Sequence, residues 1–421
     1  MKPRVALAFS GGLDTSYCCV ALHEDYGLEV HTVTADTGGF SAAELADLEK
    51  RAHILGAASH RTLDVRPRLF DRFLRYLVYG NVLRGQVYPL CVAAERVAQA
   101  EAVALAALEL GATAIAHGST GAGNDQVRFD VAFKVLAPQL RLIAPIRESG
   151  LARARAAARL GDAGLPVPEE AKRFSINRGL WGNTVGGGPT HDSDATIPDD
   201  AYPATAPPAF WPDAPERLTL EFAQGVPVAV DGRALSPVDA LLETAARAGA
   251  HGVGRGVHLG DTILGIKGRV GFEAPAAVTL ITAHRELEKL VLTRAQQNWK
   301  ETLGNLYGSM LHEGHYFDPL MRDLEAFLES TQQHVSGTVR VRLFKGQASV
   351  EGVRSAHSLL QSDVALYGEE NHLWDGRDAQ GFCRLYALQE ALAARRDRSV
   401  AGTAGGQAPN GAPVPTSAGA A

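Results

Sequence analysis

Val5-Ala6-Leu7-Ala8-Phe9-Ser10-Gly11-Gly12-Leu13-Asp14-Thr15-Ser16 decides the architecture of this chain. Five apolar residues without polar alternation suit a strand buried on both faces of a parallel sheet. The turn that follows combines two glycines with hydroxyl-bearing and acidic residues and opens a helix-like stretch. Glycine lets the backbone turn tightly and approach a ligand, and amides in the first helical turn point at an anion at the positive end of the dipole. Ser10, Thr15 and Ser16 add donors, so the segment reads as a pyrophosphate cradle. It lacks the Gly-Lys-Ser/Thr ending of a Walker A loop, which would put an ammonium on the terminal phosphates. Hydroxyls and amides without lysine suit gripping the pyrophosphate part of ATP, with the α-phosphorus left open to attack. The plainer alternative is a tight strand-to-helix turn capped by serine.

Outward from this loop, the first 165 residues alternate short apolar strands with amphipathic helices. Strands are predicted at 5–9, 28–35, 60–65, 113–116 and 140–144. Ser41-x-x-Glu44 is a capping box opening a helix that stops at Gly56, and Leu110-Gly111 closes an alanine-rich helix from about Ala93. The pattern predicts an α/β, doubly wound parallel-sheet domain. Ligands of such sheets sit beyond the carboxyl ends of the strands, where the Ser10 loop, Asp36-Thr37-Gly38-Gly39 and His117-Gly118-Ser119-Thr120-Gly121 all fall.

Gly164-Leu165-Pro166-Val167-Pro168 marks the predicted domain boundary. The glycine- and proline-rich stretch from 182 to 215 is either a long functional loop system or a set of short elements. Strands then dominate, at 218–222, 226–230, 262–267, 277–282, 337–344 and 347–353, interrupted by a central helix at 285–302. This predicts an α+β second domain. A terminal helix at 384–395 carries Leu385, Leu388 and Leu392 at helical spacing. The expected division is a nucleotide-binding domain over 1–165, a second domain over 166–377, a C-terminal helix over 378–399 and a disordered tail over 400–421.

With 421 residues, 46% of them hydrophobic, the chain can bury the cores of two or three domains. A net charge of −6 argues against a dedicated nucleic-acid surface. The four cysteines, Cys18, Cys19, Cys91 and Cys383, form no Cys-x-x-Cys pair and read as reduced thiols. No signal-peptide pattern and no membrane-spanning apolar run is visible, so a cytoplasmic protein without membrane partners is expected.

A second polar cluster is His117-Gly118-Ser119-Thr120-Gly121-Ala122-Gly123-Asn124-Asp125-Gln126-Val127-Arg128-Phe129. At a helix start, Asn124 and Arg128 share a face. Asparagine and arginine suit a carboxylate, the arginine through its fork, and Asp125 suits an ammonium, so a zwitterion would find both charges answered. A helix cap with a surface arginine is the alternative.

Ser-Gly-Gly-x-Asp-x-Ser resembles the signature of the N-type ATP pyrophosphatases. Residues 8–16, residues 117–129 and Ile143-Ala144-Pro145-Ile146-Arg147 together resemble the landmark segments of the argininosuccinate synthase family, in the same order and spacing. The likeness continues through Gly225-Val226-Pro227-Val228, His251-Gly252-Val253-Gly254-Arg255, Lys345-Gly346-Gln347 and Asp378-Ala379-Gln380-Gly381-Phe382, covering nearly all the chain except the tail. It implies an ATP-dependent ligase of arginine biosynthesis, in which citrulline is activated as an adenylate and aspartate then displaces AMP. It also implies a synthetase role for the second domain, Mg²⁺ accompanying ATP, and a homotetramer held by the C-terminal helix. By position, Ala8, Phe9, Ser10, Gly11, Gly12, Leu13, Asp14, Thr15, Ser16, Ala35 and Gly118 resemble the ATP contacts. Thr120, Asn124 and Asp125 resemble the aspartate contacts, and Tyr88, Asn124, Arg128, Ser175 and Thr184 the citrulline contacts. Asp14 and Asp125 are the candidate catalytic carboxylates.

The chain departs from that pattern around citrulline. Ala93 and Thr184 stand where the family has serines, Gly260 where it has a glutamate, and Phe272 where it has a tyrosine. Asp261 is a candidate replacement for the missing acid. Lys267 and Arg269 face either the nucleotide phosphates or solvent. His284, His312 and His315 lack carboxylate partners at metal-ligand spacing. The rival reading, an ATP pyrophosphatase that thiolates RNA, needs a cysteine pair and a basic extension that this sequence lacks.

Overall fold

The computed structural model describes residues 2–150, 153–165, 167, 174–361, 364 and 373–404. It divides into two units, Met1–Leu359 and Leu360–Ala421. The larger unit opens with β1 (Arg4–Ala8), α1 (Leu13–Glu24), β2 (Glu29–Asp36), α2 (Ala42–Ile54) and β3 (Ser59–Asp64). Then come α3 (Arg66–Leu69) and α4 (Arg75–Tyr79), joined by a π-helical turn, and α5 (Ala93–Glu109), β4 (Ala114–Ala116), α6 (Asp125–Leu136), β5 (Arg141–Ile143), α7 (Pro145–Ser149) and α8 (Arg153–Asp162).

The five strands form a parallel sheet in the order β3-β2-β1-β4-β5. The apolar run of β1 serves both faces of this sheet. Val5 and Leu7 join the core with α1 and α2, while Ala6 joins Val33 and Ile115 under α5 and α6. Chain order reverses between β1 and β4, and the crevice beyond their carboxyl ends is where a doubly wound sheet binds ligands. All five predicted strands are present with ends shifted by no more than one residue, and α2 carries the full Ser41–Glu44 capping box.

The rest of the larger unit contains β6 (Ser175–Asn177), β7 (Asn183–Gly186), β8 (Glu216–Ala223), β9 (Val226–Val230), β10 (Arg233–Ala234), α9 (Pro237–Ala250), β11 (Arg255–Asp261) and β12 (Lys267–Glu273). After them run α10 (Pro275–Val291), α11 (Arg294–His312), α12 (Pro319–Gln332), β13 (Gly337–Phe344) and β14 (Gln347–Arg354). Two antiparallel sheets result, β10-β9-β8-β13-β14 and β11-β12-β7-β6. The glycine- and proline-rich stretch resolves into short elements, with β7 followed by 3-10 turns at Gly188–His191, Asp199–Ala201 and Pro208–Phe210.

Three expectations fail here. Residues 262–266 are the turn of the β11–β12 hairpin, reversed at Gly265 with φ +79°, and only Lys267 of the predicted stretch lies in a strand. Residues 277–282 lie inside α10, started by Pro275 at its first turn, and the helix is buried around most of its circumference, which hides its period. The predicted central helix is two helices, since Thr293 caps α11 with its own capping box.

A buried polar knot ties these helices to the segment after α4. Lys300 Nζ pairs with Glu288 at 2.7 Å, and Glu288 also accepts from Asn81 and Gln332. His284 bridges Asn81 and Gln332, each at 2.8 Å. This knot anchors a strained segment, in which Asn81, Gln86, Leu90 and Val92 all adopt positive φ without being glycine.

The smaller unit holds α13 (Gly376–Tyr386) and α14 (Leu388–Ala404). Two helices replace the single one expected at 378–399, and Asp375 starts the first with a capping box. Helix α14 runs to Ala404, into the segment expected to be disordered; residues 405–421 lie outside the described residues. Among the described residues no helix is long and apolar enough to cross a membrane.

Candidate active site

The loop after β1 is built as its composition requires. Gly11 sits at φ +70°, and a Cβ there would stand 2.1 Å from Leu48 Cδ2. Arg51 clamps the Gly11 carbonyl at 2.7 Å, and Ser16 Oγ donates to the same carbonyl. Thr15 Oγ1 accepts from the Ser10 amide at 3.3 Å and lies 3.2 Å from Ser10 Oγ. Gly12 occupies the N-cap of α1 with no side-chain cap, and the positive end of the helix dipole lies at the loop.

Gly118, at the end of β4, packs on this loop: its Cβ would lie 3.1 to 3.3 Å from Thr15 and Asp14 atoms. A side chain there would push the two loops apart. His117, fully buried, holds the glycine-rich segment in place. Its Nδ1 accepts from the Ser119 amide at 3.1 Å and its Nε2 meets Asp130 at 2.8 Å. Asp130 also binds Arg147, and their combined pull outweighs burial and holds the Asp130 carboxyl below the ordinary range. Ala35 lies in β2 two residues past the partner of Ala8, and the loop beyond it meets the second domain where Leu180 donates to the Thr37 carbonyl at 2.8 Å.

Asn124, Asp125 and Arg128 meet at the start of α6, as predicted, while Thr120 is exposed on the loop before it. Both oxygens of Asp125 are already engaged, one by Arg128 Nη1 and one by Arg96 Nε, each at 2.9 Å. Burial works to raise its pKa, but Arg96 and Arg128 outweigh burial and keep it lowered. Arg128 is also spoken for: its Nε and Nη2 donate to the His312 carbonyl at 3.0 and 2.7 Å. His312 Nδ1 lies 3.2 Å from Arg128 Nη2 and must accept, since a guanidinium only donates. Burial, then Arg128, Arg84 and His258, push the His312 pKa down to about 3, so the imidazole is neutral.

A polar chain leads from Asp125 to the second domain. Arg96 Nη2 donates to Asn177 at 2.7 Å, and Asn177 donates to Thr184 Oγ1 at 3.3 Å. Thr184 pairs with Phe272 across β7 and β12, and Phe272 packs against Tyr88 with ring centroids 5.2 Å apart. The other contact of Tyr88 is His258, stacked at 5.2 Å, while its hydroxyl donates to the Cys91 carbonyl. Tyr88, Thr184 and Arg128, all buried, are thus linked through Phe272, Asn177, Arg96 and Asp125, with Asn124 one residue before Asp125. Ser175 is exposed on the edge strand β6, two residues before Asn177, and pairs with Gly186 of β7.

Other candidates have different partners. Asp261 pairs with Lys267 at 2.7 Å near the hairpin turn, both mostly exposed. Arg269 donates to the Pro189 and Ala195 carbonyls at 2.9 and 2.7 Å and pins the loop between them, which gives it a structural task in place of a nucleotide phosphate. Arg84, Arg96, Asn177, His258 and His312 carried no motif in the sequence. Their partners are distant in the chain and several are backbone carbonyls, so spacing alone could not find them. Among the described residues no group of three or more histidine, cysteine or acidic side chains could hold a metal ion.

Two family models together match nearly the whole chain. The argininosuccinate synthase N-terminal HUP domain matches residues 4–166, and the argininosuccinate synthase C-terminal domain matches residues 174–393. The chain is 38% identical to the argininosuccinate synthase of Methanocaldococcus jannaschii over 392 residues, covering 93% of this chain and 98% of the relative. It is 42% identical to that of Xanthomonas campestris pv. campestris over 399 residues, 94% of this chain and 99% of the relative. For an argininosuccinate synthase of Dehalococcoides mccartyi the identity is 41% over 397 residues, 94% and 97%. The crevice between β1 and β4 and the near-complete match lead to one assignment: the chain belongs to the argininosuccinate synthase family.

Proposed function

We propose that this crevice joins citrulline to aspartate through a citrullyl-adenylate, with the Ser10–Ser16 loop holding the pyrophosphate part of ATP. The activity itself is that of the family, ATP-dependent formation of a C–N bond. The observation that carries the mechanistic reading is the packing of Gly118 onto Thr15, which puts a lysine-free phosphate loop and the Thr120–Arg128 segment at one point of chain reversal.

The chemistry follows from what each part can hold. A ureido carbon is a poor electrophile with a poor leaving group. The ureido oxygen attacks the α-phosphorus, a P–O bond forms, and the bond to the β-phosphate breaks with its electron pair leaving on pyrophosphate. First-turn amides of α1 with the Ser10 and Thr15 hydroxyls stabilise that departing charge, the main catalytic term in phosphoryl transfer, while Ser16, buried and donating to the Gly11 carbonyl, holds the shape of the loop. Asp14, in the same turn, is the carboxylate suited to Mg²⁺, which would neutralise phosphate charge when bound with ATP. In the second step the aspartate amine attacks the ureido carbon, AMP leaves, and the amine gives up a proton.

Thr120, Asn124 and Asp125 are the proposed aspartate contacts. Asp125 serves first as counterion to Arg96 and Arg128, and its remaining lone pairs meet the amine. Tyr88, Asn124, Arg128, Ser175 and Thr184 are the proposed citrulline contacts, with Arg128 pre-oriented by His312 so that its remaining N–H faces the ligand carboxylate. A homotetramer assembled through the C-terminal helices is proposed as the working form. The test is pyrophosphate release with ATP and citrulline, then with aspartate added. Citrulline-dependent release that continues to argininosuccinate on adding aspartate is expected; release indifferent to citrulline would overturn the reading.

A further inference from the structure

We propose that strand β11 pairs with β11 of a second copy of this chain, antiparallel and centred on His258, so that the four-stranded sheet continues from one protomer into the next. The contact is separate from the C-terminal helices and goes beyond the reaction described above.

Strand β11 lies at the edge of its sheet. Its strand partner is β12, which matches all seven of its residues without a bulge. In such a ladder alternate N–H and C=O groups point away from the partner strand, and among the described residues the outward groups of 256–261 meet no other backbone or side chain. An edge of this kind is a template for another strand, and proteins that keep an edge unpaired blunt it with proline, lysine or a bulge. The centre of β11 has none of these and instead exposes Val257 at 41% and Leu259 at 60%. Across the ladder Val257 faces Gly271, whose Cβ would stand 2.9 Å from Ile197 and 3.3 Å from Val185. The same face is thus packed one strand inward and bare at the edge.

The order of residues along the strand identifies the occupant. Arg255-Gly256-Val257-His258-Leu259-Gly260-Asp261 reads alike from both ends except for the sign of its terminal charges. Turned antiparallel about His258, Val257 stands opposite Leu259 of the other copy, Gly256 opposite Gly260 and Arg255 opposite Asp261. The contact is isologous, as a twofold axis requires, and the axis repeats each apolar cross-strand pair, the unit that stabilises a sheet. At each end Arg255, held by Asp199 and Thr205, comes beside Asp261, held by Lys267, so two charges of each sign meet. At the centre His258 faces its own counterpart. Burial and Arg84 hold its pKa below the ordinary histidine value, so two neutral rings meet there and not two cations.

The test uses full chains carrying Cys383→Ser, which removes the exposed thiol and leaves three buried ones. Val257→Cys and Leu259→Cys chains are co-expressed and mildly oxidised. Directly opposite Cα atoms of an antiparallel pair lie about 4.5 to 5.5 Å apart, within disulfide reach. The mixed sample should therefore give a covalent dimer on a non-reducing gel in about fivefold or higher yield than either variant alone, whose thiols sit on the longer diagonal. Equal yields from the single variants, or no dimer from the mixture, overturn the proposal. Independently, Leu259→Lys places a charge on the exposed face of the edge and should halve the sedimentation mass with an unchanged circular dichroism spectrum. An unchanged mass overturns the proposal and leaves the edge to another partner or to solvent.

Discussion

The side-chain oxygen of Asn124 accepts a hydrogen bond from the backbone amide of Ile263 at 2.8 Å. One residue belongs to the start of α6 in the nucleotide-binding half, the other to the β11–β12 turn, so the hairpin is fastened to the residue proposed to meet both amino-acid substrates. Asn124→Ala removes the acceptor and leaves the Ile263 amide to water. A hydrogen bond of this kind is worth about 1 kcal/mol, so KM for aspartate should rise roughly fivefold with KM for ATP little changed. Steady-state pyrophosphate assays resolve the two, and equal rises would place the contact in the fold and not in substrate binding.

Gly11→Ala tests the phosphate loop. The close atom is the end of the flexible Leu48 side chain, which can move, whereas φ +70° cannot be relieved by a neighbour. The left-handed conformation costs a non-glycine residue about 1 to 2 kcal/mol, and escaping it reorients the amides that grip phosphate. Pyrophosphate release should fall more than tenfold. Adding Leu48→Ala should recover little of it, and full recovery would show that crowding, not backbone conformation, selects glycine here.

The sequence held much of this fold because the nucleotide-binding half follows local rules. Ser41 and Glu44 cap a helix, Gly11 and Gly12 turn the chain, and β1 is apolar throughout because both faces are covered. The second half was less legible for physical reasons. Val278, Thr279, Leu280, Ile281 and Thr282 have strand-like composition, yet they lie in a helix that is packed on most sides here and shows its polar positions only later, at Arg285, Glu286 and Lys289. Strand β11 is partly exposed and interrupted by Gly256 and Gly260, so no alternation marked it. In the site, Asn124 and Arg128 announced themselves by helical spacing, while His312, 184 residues away from Arg128, acts largely through its carbonyl, which every residue type possesses.

Lys300 and Glu288 are both almost fully buried and face each other at 2.7 Å. Removing one partner strands a charge in a low-dielectric interior, at about 3 to 5 kcal/mol, whereas removing both avoids that penalty. Lys300→Met should therefore lower the urea midpoint more than Lys300→Met combined with Glu288→Gln. A double variant less stable than the single one would mean that the hydrogen bonds of Glu288 to Asn81 and Gln332 outweigh its desolvation.

Glu95 gives a pH signature. Burial lifts its pKa from 4.5 to about 7 against the opposing pull of Arg96, and its Oε2 has no hydrogen-bond partner. The folded state thus prefers the protonated acid, and its stability contribution is complete below pH 4.5, declines from there to about 7, and stays lost above. A shift of that size is worth ~3 kcal/mol. Glu95→Gln, which resembles the protonated form, should remove the decline and melt above the unaltered protein at pH 8 but not at pH 4.5. Parallel melting curves across that range would show that the carboxyl finds a compensating partner when it ionises.

Helices α13 and α14 leave Phe382, Leu385, Tyr386, Leu388 and Leu392 each more than half exposed within their own unit, and the Phe382 and Tyr386 rings stack on one another 5.2 Å apart. Phe382, Leu385 and Tyr386 fall at i, i+3 and i+4, so they share one face of α13. Apolar side chains arranged as a stripe are costly to leave in water, at about 1.5 to 3 kcal/mol for each large residue, and the proposed tetramer would cover them. Ending the chain at Asp375 should reduce the sedimentation mass below that of the full chain. Leu385→Glu, which keeps the helix but charges the stripe, should act in the same direction. If both variants keep the mass of the unaltered protein, the stripe is not an assembly surface and the tetramer must be sought elsewhere on the larger unit.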